Sequence, residues 1–184
     1  MVYNEVELTE NEIDFISKVV LGPSMAWYKQ DFQTDFEPNN AIKDSVGNNG
    51  FFGHALMLRN TSDPTVPGNI NSEYYHMFEN IFYRWIKQNN LELPNKIYRA
   101  GLNLTLHNDK DFSVPHYDHE WPHWNWIMYL NDNDAATLLF DTDYNITHQF
   151  PAKKFHACAF ENTLHAHQFP KINEFRYVVV FTFI

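Results

Sequence analysis

The residues best suited to chemistry are two imidazoles and a carboxylate. His116 and Asp118 lie in Val114-Pro115-His116-Tyr117-Asp118, and His165 lies in Asn162-Thr163-Leu164-His165-Ala166-His167. In an extended stretch, residues 116 and 118 fall on the same side of the chain. Two histidines and one carboxylate on a single face of an ion form the ligand set of a mononuclear iron(II) centre, which leaves the opposite positions open for other ligands. The His-x-Asp pair alone is a weak signal, because ten histidines in 184 residues make such pairs common, and another stands at His107-Asn108-Asp109. That second pair runs on into Lys110 and Asp111 and reads as an exposed polar loop, whereas His116 and Asp118 precede the aromatic stretch Trp121 to Trp126. At the distal position, His165 and His167 share one face of an extended segment, so either can be the ligand and the other a pocket residue.

A cation follows this set. The segment Phe175 to Phe183 is β-branched and aromatic and contains one charge, Arg176, which shares a strand face with Val178, Val180 and Thr182. A guanidinium pointing into a barrel needs an anion, and its planar fork grips a carboxylate through two hydrogen bonds. The alternative is a rim arginine paired with Glu174. Arg99, Asn103 and Thr105 give the 97–106 strand one polar face, and Asn103 is the candidate ligand contact among them, the alternative being a face turned to solvent. His119, Trp121, His123 and Trp124 are placed at the rim of the substrate opening, with core packing of the clustered aromatics as the alternative. With His107, His116 and His165, five of the ten histidines fall in or beside segments assigned to one site.

The elements that must position these groups are legible. Thr9 with Glu12 three residues later is a capping box, and Ile13, Ile16, Val19 and Val20 continue at helical spacing, predicting a helix over about 9–21. Gly22-Pro23 ends it, and Trp27 to Gly53 reads as mixed strands and loops. Asn60 to Asn71 reads as a surface loop. Ser72 then caps a second helix to about Asn89, with Tyr75, Phe78, Ile81, Phe82, Trp85 and Ile86 as its apolar stripe. After Pro94 the pattern changes to short strands, at 97–106, 124–130, 136–141, 146–150, 154–160 and 175–183. Such a succession predicts a mainly β jelly roll or related antiparallel barrel with the two helices packed on one sheet. One domain is expected over 1–184, with 1–94 as helical and mixed support and 95–184 as the jelly-roll core.

Composition narrows the function classes. Hydrophobic residues make up 44% and aromatics 17%, ample for a core and a pocket lining. The formal charge of −10 repels phosphate backbones over most of the surface, so nucleic acid is a poor substrate. An acidic surface is compatible with a basic or neutral peptide, a free amino acid or a small metabolite. The single cysteine, Cys158, sits among apolar neighbours that suggest a buried strand and excludes an internal disulfide. No apolar run approaches the roughly 18 residues of a membrane span, and the polar start lacks a signal peptide's pattern, so a cytoplasmic location is expected. Oligomeric state is left open.

This ordered set resembles the 2-oxoglutarate and iron(II) dependent dioxygenases, in particular the small stand-alone, prolyl-hydroxylase-like members common in bacteriophage and marine genomes. The resemblance rests on the leading helix, Ile97-Tyr98-Arg99-Ala100-Gly101-Leu102-Asn103, His116-Tyr117-Asp118, Ile127-Met128-Tyr129-Leu130-Asn131-Asp132, Thr137-Leu138-Leu139-Phe140, and His165 followed by Arg176. It departs at Ala135-Ala136, where the family carries Gly-Gly before the threonine strand. The resemblance implies a double-stranded β-helix (cupin-like) fold. It further implies iron(II) on His116, Asp118 and His165, with 2-oxoglutarate as cosubstrate held at its far end by Arg176, and dioxygen as oxidant. The order His-Ala-x-x-Phe-Pro favours His165 over His167 as the distal ligand. The implied activity is hydroxylation of an organic substrate, tilted towards a prolyl or peptidyl group, with release of succinate and carbon dioxide. For a phage-encoded protein the location would be the host cytoplasm. A non-catalytic ligand-binding jelly roll and another cupin-type metal enzyme are the competing readings. Iron affinity is expected to fall as pH drops through about 6.5, the free histidine value.

Overall fold

The Thr9 hydroxyl accepts from the Glu12 amide while the Glu12 carboxylate accepts from the Thr9 amide, so the predicted capping box is formed. In the computed structural model, which describes residues 1–31, 42–47, 50–60, 63 and 65–184, helix α1 spans Glu10–Phe15 and runs on as a π-helical turn over Ile16–Val20. Helix α2 spans Tyr75–Gln88 and starts later than predicted: Ser72 instead caps the turn before it, its hydroxyl accepting from the Tyr74 amide. Parts of the expected mixed segment (32–41 and 48–49) and of the expected loop (61, 62 and 64) lie outside the described residues.

The strands are β1 Val2–Glu5, β2 Tyr28–Gln30, β3 Val46–Gly47, β4 Phe51–Leu58, β5 Asn69–Ile70, β6 Ile97–Thr105, β7 Phe112–Ser113, β8 Trp124–Tyr129, β9 Thr137–Phe140, β10 Ile146–Phe150, β11 His156–Glu161, β12 His165–His167 and β13 Arg176–Phe183. Every strand predicted after Pro94 is present within a residue or two of its expected bounds, and β7 and β12 are additional. The major sheet runs β1-β11-β8-β13-β6-β4-β2, with β5 on the edge of β4, and the minor sheet runs β10-β9-β12. All pairings in both are antiparallel. Within the N-terminal 94 residues, β1, β2, β4 and β5 extend the major sheet.

Strand alternation on β13 explains how the layers pack. Val179, Phe181 and Phe183 face a core shared with the helices, including Phe78, Ile81, Phe82, Trp85 and Ile86 of α2. Phe82 stacks on Phe181 at a centroid distance of 5.0 Å. Burying each such side chain contributes about 1.5–3 kcal/mol. On the opposite face, Val178 and Val180 meet Ile127 and Tyr129 of β8, Leu139 of β9, Phe150 of β10 and the buried Cys158 and Phe160 of β11, which fills the space between the two sheets. The helices therefore cover one face of the major sheet, and the interior of the jelly roll lies on the other. Among the described residues, no helix is long and apolar enough to cross a membrane.

Candidate metal centre

His116 lies outside the main strands but forms an antiparallel bridge with His165, the first residue of β12. Its amide donates to the His165 carbonyl at 2.9 Å, and the His165 amide returns the bond at 3.0 Å. In each ring Nδ1 lies 2.9 Å from the backbone carbonyl two residues earlier, Val114 for His116 and Thr163 for His165. An Nδ1–H donated to a carbonyl fixes the tautomer and leaves the Nε2 lone pair outward, which is the form a metal takes. Asp118 completes the group: its Oδ2 is 3.5 Å from His165 Nε2. One ligand atom from each of His116, Asp118 and His165 lies within 4.8 Å of the others, a donor set suited to a divalent ion with open positions.

The electrostatics suit the same use. Burial alone would raise the Asp118 carboxyl, but Arg99 first, then the His165 and His116 rings, outweigh it and hold it well below the ordinary carboxylate range. The Arg99 Nη2 is 3.0 Å from Asp118 Oδ1. Burial, reinforced by the neighbouring His116, pushes His165 down to about 4, so its ring is neutral near pH 7. The sequence-based window for proton competition, near 6.5, thus moves down at His165.

These groups open on a cavity of about 360 Å³, also lined by Arg59, Asn103, Thr105, Thr137, His167 and Arg176. Arg176 is 3% exposed. Its Nε donates to the Ala135 carbonyl at 3.0 Å and its Nη2 to Thr137 Oγ1 at 2.9 Å. The guanidinium sits 5.5 Å from the centre of the Tyr129 ring. Among the described residues no carboxylate pairs with it, and Glu174, the alternative partner, is exposed. A buried cation without a counter-ion is costly, and an anion entering this end of the cavity would offset that cost.

The other expectations separate. His167 lines the cavity, and its Nδ1 lies 3.3 Å from the Ser113 hydroxyl, which also accepts the His167 amide at 3.1 Å. His107 bonds to Asp109 at 3.2 Å and to the Pro170 carbonyl at 2.9 Å, apart from the cluster. Asn103, Arg99 and Thr105 line the cavity. The expectation that His119 and His123 rim the opening is overturned, since both are buried, at 4% and 3% exposure. His119 stacks on Trp121 at 4.4 Å and its Nε2 is 3.1 Å from Thr182 Oγ1. Desolvation, then Arg59, pushes His119 down to about 3. Aromatic neighbours marked a packed wall, and alternation alone gives no depth. Arg59, at the end of β4, was missed because no spacing connects it to the motif; its Nη2 donates to the Asp118 carbonyl at 3.1 Å.

No protein-family model and no curated protein matches the chain. Solved structures do. An oxidoreductase of the 2OG-Fe(II) oxygenase family from Burkholderia pseudomallei aligns over 100% of this chain and 95% of its own, with a TM-score of 0.61 and 9% identity. A prolyl hydroxylase from Trichoplax adhaerens, in complex with a peptide fragment of hypoxia inducible factor, aligns over 100% and 82% with a TM-score of 0.59 and 8% identity. The non-heme alpha ketoglutarate dependent epimerase SnoN from nogalamycin biosynthesis aligns over 100% and 76% with a TM-score of 0.58 and 9% identity. At such identities the likeness is one of architecture, and the chain has the jelly-roll fold found in 2-oxoglutarate and iron(II) oxygenases.

Proposed function

We propose that this protein is a 2-oxoglutarate- and iron(II)-dependent oxygenase that hydroxylates an organic substrate. One substrate C–H, one dioxygen and one 2-oxoglutarate would become C–OH, succinate and carbon dioxide. The observation that carries this reading is a single cavity with the His116, Asp118 and His165 donors at one end and the uncompensated Arg176 guanidinium in its wall. The residues act as one domain in this reading, with 95–184 as its jelly-roll core.

Bound iron(II) would supply the dioxygen chemistry that no side chain here provides. The chain's own residues bind and orient. His116 and His165 offer Nε2 because their Nδ1 atoms are tied to backbone carbonyls. Asp118 offers an ionised carboxylate and lowers the charge of the centre. Arg176, steadied by Ala135 and Thr137, would take the distal carboxylate of 2-oxoglutarate, with Asn103 as a further contact. Ile127, Val178 and Val180, with Phe51 and Ala166, give the wall its apolar part and would limit water near the reacting atoms. The similar structures include a prolyl hydroxylase with a peptide and an epimerase from nogalamycin biosynthesis, so peptidyl and small-molecule targets both fit this fold.

The test is succinate formation by the purified protein with iron(II), ascorbate and 2-oxoglutarate, against an Asp118→Ala control. Turnover that depends on Asp118 is expected. No succinate together with no iron binding would favour a non-catalytic ligand-binding jelly roll.

A further inference from the structure

The cavity adjoins a second one of about 520 Å³, lined by Tyr28, His54, Met57 and Leu58 among others, and the two share Phe51, Arg59, Arg99, Asn103 and Val180. Arg59 and Arg99 thus stand at the junction between the metal centre and an outer groove of a size suited to small molecules. Both guanidiniums reach the same residue: Arg99 meets the Asp118 carboxylate at 3.0 Å, and Arg59 the Asp118 carbonyl at 3.1 Å.

The charge count is decisive. The chain carries 23 acidic residues against 13 basic ones. Yet the described residues lining the two cavities include three arginines, Arg59, Arg99 and Arg176, and one carboxylate, Asp118. With the histidines counted neutral, that leaves two positive charges. A divalent ion and a dicarboxylate cosubstrate cancel each other, so the two charges remain after both have bound. A site that keeps two cations in a strongly acidic protein is matched to an anion.

We infer that the substrate is a small organic anion, its carboxylate or phosphate group held at the cavity junction by Arg59 and Arg99. This rests on the oxygenase reading above and adds the substrate class to it. Arg59, exposed at the rim and free of metal ligation, is the specificity-determining residue, because its planar fork can turn to an acid group without disturbing the Asp118 carboxylate.

The test is calorimetry on protein loaded with manganese(II) and N-oxalylglycine, so that the metal centre and Arg176 are already engaged. The probes are phenyl phosphate and benzoate, each against its neutral counterpart, phenol and benzyl alcohol. At least one anion should bind about tenfold more tightly than its counterpart, and Arg59→Gln should weaken that anion about tenfold while leaving N-oxalylglycine affinity unchanged. Whichever anion binds identifies phosphate or carboxylate as the group recognised. Anions that bind no better than the neutral probes, or that are indifferent to Arg59→Gln, overturn the inference alone. Failure of the wild type to bind manganese or N-oxalylglycine overturns the oxygenase reading and this inference with it.

Discussion

His116 and His165 exchange both of their backbone hydrogen bonds, at 2.9 and 3.0 Å, so their rings stand side by side with centroids 4.7 Å apart. A directly paired antiparallel couple presents its side chains on the same side of the ladder. The separation of the two imidazoles is therefore set by main-chain geometry, and the rings are aligned before any ion arrives.

This pairing separates the two distal candidates. His165→Ala should lower iron(II) affinity by more than about 100-fold, whereas His167→Ala should cost no more than about 10–100-fold, the range of groups that only support a ligand. Titration with manganese(II) or cobalt(II) followed spectroscopically checks this, and the reverse order would make His167 the ligand.

Arg176→Met removes the cation whose neighbours are Ala135 and Thr137. The half-saturating 2-oxoglutarate concentration should rise by about 10–100-fold with iron affinity retained, since a charged hydrogen-bonded contact is worth about 1.5–3 kcal/mol. Succinate release measured against cosubstrate concentration reads this, and an unchanged dependence would remove Arg176 from the cosubstrate site.

The metal-free protein should lose stability on mild acidification. His165 titrates at about 4 when folded, against about 6.5 in an unfolded chain. Between those values the unfolded state binds more protons, so unfolding free energy falls as pH drops from about 6.5 towards 4 and is fully present above 6.5. Urea unfolding at pH 7 and pH 5 measures the difference, and His165→Asn should shrink it. An undiminished difference in that variant would place its origin elsewhere.

Thr9→Ala removes one arm of the capping box at the start of α1. A loss of about 1 kcal/mol is expected, seen as a fall of about 2–4 °C in the thermal midpoint. Metal affinity should not change, because α1 packs on the face of the major sheet away from the cavity.

Much of this molecule is written in local pattern. The helical stripe of Phe78, Ile81, Phe82, Trp85 and Ile86 is buried as its period requires. The alternation of β13 puts Arg176, Val178 and Val180 on the cavity side and Val179, Phe181 and Phe183 against the helices. Such patterns are readable because side-chain direction repeats with the backbone, whatever the rest of the chain does. They also narrowed the centre to His116, Asp118 and one of two histidines.

Tertiary structure decided the remainder, because direction along one strand says nothing of depth or of what lies across the interior. His165 and His167 have equal claims by alternation. The pairing of His116 with His165 brings one imidazole to Asp118, and Ser113 engages the other. His119 and His123 lie in sequence beside the motif yet are packed into a wall, while Arg59, far from it in sequence, reaches Asp118. The global charge of −10 argued against nucleic acid and left small molecules open, and only the fold shows, among the described residues, three arginines and one carboxylate converging on the cavities, since net charge sums over a whole surface while a ligand meets only the groups that line its site.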